Sequence, residues 1–304
     1  MEILLNSSTE ISKKNTSIDF WISNFVSQKT QATYKYSLRE FIRFIEPLNL
    51  ESIEMITPIV IIEYRDSLIE RGLANKTINL YLSSVSSLLQ QLVYDQILEI
   101  NPAHRVKRLS EQTKKIKFFL NDDEIEKLIV SFRLNQLHLK LLTQILAHTA
   151  QRASCVLQLK VKDLETFNDI LIMNLKIKGN RMAQIPIPNI IKEQILLYIK
   201  NKYPEEYLFT ARHDLNNKPM SLSNYNQVLK THARKIGLNK TIGSHSFRRS
   251  LLSKMVDLGF PIQQIQTVSK HKNLNTILTY KENKESNIME SPILRMISQH
   301  ITNK

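Results

Sequence analysis

The sequence predicts a mainly α-helical protein of two domains, the first all-α and the second α+β with one small β-hairpin or sheet. Three observations predict this. Apolar residues recur at the three-and-four spacing of a helix face over most of the chain. The chain of 304 residues has only five glycines, each where a periodic run stops, which leaves little punctuation for many short strands. One stretch, Asp169 to Ile187, switches to the two-residue alternation of a strand. The length suggests about two domains, and 42% apolar residues is enough to bury their cores.

Residues 1–16 are polar and aperiodic and read as a flexible arm. A helical domain follows over residues 17–104. Ile18 to Val26 and Ala32 to Ile45 carry Phe20, Trp21 and Phe25, then Tyr34, Leu38, Phe41 and Ile45, at helical spacing, and Pro47 closes the second run. Thr57-Pro58 pairs a capping residue with proline at the first helical position, and Gly72 stops that helix. Thr77 is expected to cap the next, on Ile78, Leu82, Val85, Leu89 and Leu92. Asn101-Pro102 ends the domain.

Residues 105–118 carry Arg105, Lys107, Arg108, Lys114, Lys115 and Lys117 against one acid, Glu111, without apolar periodicity. They read as an exposed basic linker able to lie along a phosphate backbone. The second domain spans 119–284. Asn121 and Glu124 form a capping-box pair flanked by Leu120 and Ile125, opening a helix to about Phe132. Leu141, Leu142, Ile145 and Leu146 mark a helix over Leu137 to Thr149. The alternating stretch turns at Gly179-Asn180, with Lys178 and Arg181 at the tip, and Pro186 and Pro188 suit a strand end or edge. Helices are expected near 189–202, 222–236, 246–258, 262–269 and 274–280. A tail helix over 285–304 carries Ile293, Leu294, Ile297 and Ile301.

Composition excludes several classes of function. Lys and Arg number 42 against 28 Asp and Glu, a net charge of +14, which favours a polyanionic partner. A membrane surface is disfavoured, because no basic helix has a separate apolar face and no apolar run approaches the ~20 residues of a span. The first 15 residues lack a secretory pattern. Without a Gly-rich phosphate loop, ATP and NAD chemistry lose support; without HExxH or CxxC, so does a metal site. No cofactor and no small-molecule substrate are expected. Cys155 is the only cysteine, so no disulfide can form within the chain, which fits a reducing cytoplasm.

Ser244 to Tyr280 concentrates the reactive side chains. His245 and Arg248 are spaced HxxR, about one helical turn apart, so both can reach one ligand. His271 follows, and Tyr280 comes nine residues later. Upstream lie Arg152, in A-Q-R-A-S-C-V-L-Q-L, and Lys178, in L-K-I-K-G-N-R.

In these residues the chain resembles the tyrosine recombinase, or lambda-integrase-like, family, in its Xer-like two-domain form. That family orders an Arg, a hairpin Lys, HxxR, a second His and a nucleophilic Tyr, matched here by Arg152, Lys178, His245, Arg248, His271 and Tyr280. Arg181 is a second cation at the hairpin tip. The N-terminal half resembles the family's SAM-like core-binding domain at Gly72-Leu73, Thr77-Ile78 and Asn101-Pro102-Ala103. Three departures stand out: the family's Gly-Leu before the first Arg is Ala150-Gln151, its Glu is Cys155, and its L-G-H is Ser269-Lys270-His271.

The resemblance implies a site-specific recombinase or integrase that cuts and rejoins double-stranded DNA without metal or ATP. Integration of a plasmid or mobile element and multimer resolution are the expected settings. The two domains would clamp the duplex, and a homo- or hetero-tetramer would assemble on DNA. Arg152 and Arg248 would grip non-bridging phosphate oxygens with planar donors that stay charged. Tyr280 would attack phosphorus and His245 would take its proton. Lys178 would protonate the leaving 5′-oxygen, and His271 would donate to a phosphate oxygen. The product would be a 3′-phosphotyrosine. Two alternatives remain: a DNA-binding accessory protein with weak or no catalysis, and a topoisomerase using the same chemistry.

Overall fold

The computed structural model describes residues 18–110, 119–177, 179–211 and 217–270. The chain divides into two compact units, the first ending at Lys114 and the second beginning at Lys115. The expected arm 1–16, the helix at 274–280 and the tail 285–304 lie outside the described residues.

In the first unit residues 18–23 form helix α1. They are followed by α2 (Gln28–Ile45), α3 (Pro58–Glu70) and α4 (Asn75–Tyr94). Thr57 caps α3 through its hydroxyl, which accepts from the Val60 amide, ahead of Pro58. Two helices start earlier than their apolar patterns suggest. α2 begins at Gln28 under a Ser27 cap, its first turn being polar. α4 begins at Asn75, with Ala74 rather than Thr77 at the cap position.

The aromatic residues of the first two runs pack together: Trp21 lies 5.5 Å from Phe25 and 5.7 Å from Tyr34, and its indole donates to Ser87 of α4. Phe41, Ile45, Ile61, Tyr64, Leu68, Ile78, Leu82 and Leu89 form the main core. Buried Glu40 bridges α2 to the end of α3, accepting from Arg43 and Arg71 at 2.8 Å each. The Arg71 hydrogen bond holds its carboxyl below the usual carboxylate range.

The basic segment is not wholly an exposed linker. Pro102–Arg105 is a 3-10 turn, Val106 is buried and Leu109 packs on the core. Asn79 of α4 pairs with both backbone groups of Leu109, at 2.8 and 3.0 Å. Two apolar residues in an otherwise basic run are enough to dock its first half onto α4.

The second unit opens as its sequence suggests. Asn121 and Glu124 exchange capping hydrogen bonds of 2.8 and 2.9 Å at the start of α5 (Asp122–Val130). The buried helix α6 (Leu137–Thr149) and the short α7 (Ala153–Val156) follow. The hairpin is part of a three-stranded antiparallel sheet, β1 (Leu164–Phe167), β2 (Ile170–Ile177) and β3 (Arg181–Pro186), in that order. On the central strand Leu171, Met173, Leu175 and Ile177 face the core, the alternation that the sequence carries. β3 is an edge strand, where Pro186 removes no needed ladder donor.

Helices α8 (Asn189–Ile199), α9 (Leu222–Lys235), α10 (Ser244–Asp257) and α11 (Ile262–Ser269) complete the unit. Tyr225 on α9 is fully buried with its hydroxyl 2.9 Å from that of Thr143 on α6. Among the described residues no helix is long and apolar enough to cross a membrane.

His232 on α9 is only 5% exposed. Gln136 accepts from the Arg133 amide with its carbonyl oxygen, which turns its Nε2 toward His232 Nε2 at 3.4 Å. Nδ1 then carries the hydrogen and donates to Ser131 Oγ at 2.9 Å, whose own proton goes to the Leu128 carbonyl. Both ring nitrogens are thus satisfied in the neutral form. Burial, followed by the charge of Lys235, lowers the imidazole pKa. A histidine whose folded pKa is lowered contributes fully above the unfolded value of about 6.5 and loses that contribution as pH falls through it. Denaturation midpoints at pH 7.5 and 5.5 should therefore drop more in the wild type than in His232→Gln. Equal drops would remove His232 as a cause.

Candidate active site

Two of the six expected site residues lie on α10. The helix start is held from two sides: the Ser244 amide donates to Asn226 Oδ1 of α9 at 2.8 Å, and the Gly243 amide donates to Ser246 Oγ at 3.2 Å. His245 in the first turn is exposed. Arg248, one turn on, is 1% exposed. The spacing that suggested one shared face instead spans its edge, running from solvent into the core.

The burial of Arg248 has a definite physical basis. Two helices end beside it, α6 at Thr149 and α11 at Ser269. The last carbonyls of a helix lack intrahelical partners and carry the negative end of its dipole. Arg248 Nη1 donates to the Ala150 carbonyl at 2.6 Å and Nη2 to that of Ser269 at 2.5 Å. A planar cation between two helix C-termini satisfies carbonyls from both and is stabilised by both dipoles. Each Nη has two hydrogens, so these bonds use two of the five guanidinium donors. Ala150, Leu252 and Ile265, from the end of α6, α10 and α11, form a small buried apolar cluster.

Gln151 bridges the same two helix ends. It is 3% exposed, and its Nε2 donates to the Thr149 carbonyl at 2.8 Å and to the Val268 carbonyl at 2.9 Å. Sequence reasoning treated Gln151 only as a departure from a family pattern. No local periodicity reveals a side chain that reaches a helix end so far along the chain.

Arg152 follows directly. It is half-buried at the cap position of α7, where its carbonyl accepts from the Cys155 and Val156 amides. Among the described residues its guanidinium makes no hydrogen bond or ion pair. Cys155 is half-buried against the core. Lys178, His271 and Tyr280 lie outside the described residues. Arg181, the second cation expected at the tip, is the exposed first residue of β3.

The chain leaves both helix ends through left-handed residues: Ala150 and Lys270 each have φ of 54°. These are the two positions where the family pattern has glycine. That backbone region costs a non-glycine residue about 1–2 kcal/mol. Four carbonyl bonds from Arg248 and Gln151 span the same two turns and offset it.

A model of the phage integrase family matches residues 118–287, more than half of the chain, and a model of the phage integrase N-terminal SAM-like domain matches residues 18–96. The chain belongs to the phage integrase family. Curated relatives include the tyrosine recombinase XerD of Staphylococcus epidermidis, 22% identical over 287 residues that cover 91% of this chain and 94% of that one. Another is XerC of Bacillus licheniformis, 26% identical over 269 residues, covering 84% and 86%.

Solved structures of similar fold include a lambda integrase dimer bound to a COC′ core site, with TM-score 0.70, 16% identity, and 90% of this chain and 77% of that one covered. The XerH site-specific recombinase bound to a palindromic difH substrate has TM-score 0.69, 19% identity, and 86% and 78% covered. At these identities the likeness is one of fold. In this phage integrase family member Arg248 of the HxxR pair is built into the junction between two helix ends, and Arg152 lies one residue beyond Gln151.

Proposed function

We propose that this phage integrase family protein is a site-specific recombinase that cuts and rejoins DNA through a 3′-phosphotyrosyl intermediate on Tyr280. One observation carries the reading. Arg248 draws together the corner leading to Arg152 and the turn leading to His271, on the helix that bears His245. The three described residues of the expected set, Arg152, His245 and Arg248, thereby come from chain segments joined at one buried side chain.

In the reaction, the Tyr280 hydroxyl attacks phosphorus and passes its proton to His245 as the bond to the 5′-oxygen breaks. Lys178 protonates that oxygen. Arg152, Arg248 and His271 meet the charge that builds on the non-bridging oxygens. The phosphotyrosine retains the energy of the bond, so a different 5′-hydroxyl reverses the step without ATP.

Basic residues of 105–118 supply phosphate contacts. DNA is the partner, as for the DNA-bound integrase and XerH named above. Exchange between two duplexes requires four cuts, which a tetramer provides, whether of one chain or of two. The accessory reading rested on the substitutions around Arg152, and of these Gln151 is accommodated by two specific hydrogen bonds.

The test uses a duplex recovered from a randomised library by covalent trapping on the wild-type chain. Two copies are placed in a supercoiled plasmid. A recombinase yields two circles or an inverted segment, according to site orientation. A topoisomerase yields only relaxed plasmid, with or without the sites, and that result would overturn the reading.

A further inference from the structure

We infer that Gln151 is a positioning residue: its amide locks the Arg152 corner to the end of α11, the turn that leads into His271. The inference rests on the recombinase reading for what those two residues do, and on geometry for what Gln151 does.

The geometry is that of two helix ends meeting. α6 and α11 present Thr149, Ala150, Val268 and Ser269 carbonyls at one junction, all near the unsatisfied ends of their helices. Arg248 takes Ala150 and Ser269; Gln151 takes Thr149 and Val268. Each side chain thus donates once to each helix end. Gln151 uses both hydrogens of its Nε2, and an apolar side chain of the same size can supply neither.

The clamp bears directly on the site. Arg152 is the next residue after Gln151, and its guanidinium has no hydrogen bond or ion pair among the described residues to orient it. Its direction is therefore set by the backbone it leaves. On the other side, Val268 is three residues before His271, and the intervening Lys270 is left-handed. Both exits are conformations that a non-glycine residue does not hold unaided. With Gln151 in place, the corner that bears Arg152 and the end of α11 keep a fixed separation. Without it, the junction loses two of these four carbonyl bonds, and the helix ends can shift about Arg248.

The test compares wild type with Gln151→Met, which keeps length and apolar volume and removes both donors. Cleavage of the library-selected duplex, nicked so that religation is blocked, is timed at saturating protein. DNA affinity is measured separately, and amide hydrogen exchange is followed across the chain. The expected result is a cleavage rate lowered about ten- to a hundredfold, as a small misplacement of catalytic groups produces. DNA affinity should stay within about twofold, since the phosphate contacts that dominate it remain.

Exchange of the Lys270 amide, which donates to Gln266 in the last turn of α11, should quicken while the body of α6 stays protected. Gln151→Met with wild-type cleavage and wild-type exchange at Lys270 would overturn the inference. So would faster exchange spread evenly over the second unit, because Gln151 would then support the fold in general. A wild-type chain that cleaves no duplex would instead overturn the recombinase reading, and the Lys270 exchange would still decide the clamp.

Discussion

Replacing Arg248 by Met should lower the stability of the second unit by about 3 kcal/mol, read as a shift in denaturant midpoint at unchanged slope. Two opposing effects meet here. Removing a buried charge relieves a desolvation cost, and where both partners of an ion pair are replaced by apolar groups the result is often neutral. In this protein the partners include the backbone carbonyls of Ala150 and Ser269, which cannot be replaced. Each would lose its donor in a buried setting, at about 1–3 kcal/mol, and that loss exceeds the relief. Arg248→Lys should fall between, because one ammonium cannot reproduce the planar fork that reaches both helix ends. A Met variant within about 0.5 kcal/mol of wild type would mean that the junction does not depend on this side chain.

The second large effect is its counterpart. Arg152→Gln should leave the denaturation midpoint within about 0.5 kcal/mol of wild type, because the half-buried guanidinium joins no hydrogen bond or ion pair among the described residues. Cleavage of a bound, nicked duplex should nevertheless slow by about 10²–10³, the usual consequence of losing one donor to a developing oxyanion. The two arginines thus separate in one pair of assays: Arg248 moves stability and cleavage together, and Arg152 moves cleavage alone. An Arg152→Gln chain that cleaves at the wild-type rate would remove Arg152 from the site.

Much of the fold was legible because its signals are local. The capping box at Asn121 and Glu124, and the apolar stripe of α6, each depend on residues a few positions apart. What was not legible depended on distance or on weak patterning. β1 is four residues long and largely exposed, so no alternation marks it; the readable trace is Asn168-Asp169, both at positive φ, which turns β1 into β2. Val106 and Leu109 were hidden in a basic run, and only their fit against α4 gives them a place.

The same division holds for the site. Residue types and order pointed to Arg152, His245 and Arg248, but no spacing told that one of the pair on α10 is buried and the other exposed. Ala150 and Lys270 looked like losses of glycine. The structure gives them a left-handed backbone at two helix ends, and shows that Gln151, next to one of them, bridges both.

The most direct measurement of the central claim is covalent trapping on the nicked, end-labelled duplex, resolved on a denaturing gel. Wild type should leave a band of protein joined to the 3′-phosphate of the cut strand. Tyr280→Phe should bind the same duplex in a gel shift and leave no such band. A Tyr280→Phe band as strong as that of wild type, or a wild-type chain that binds the duplex and leaves none, would contradict the account.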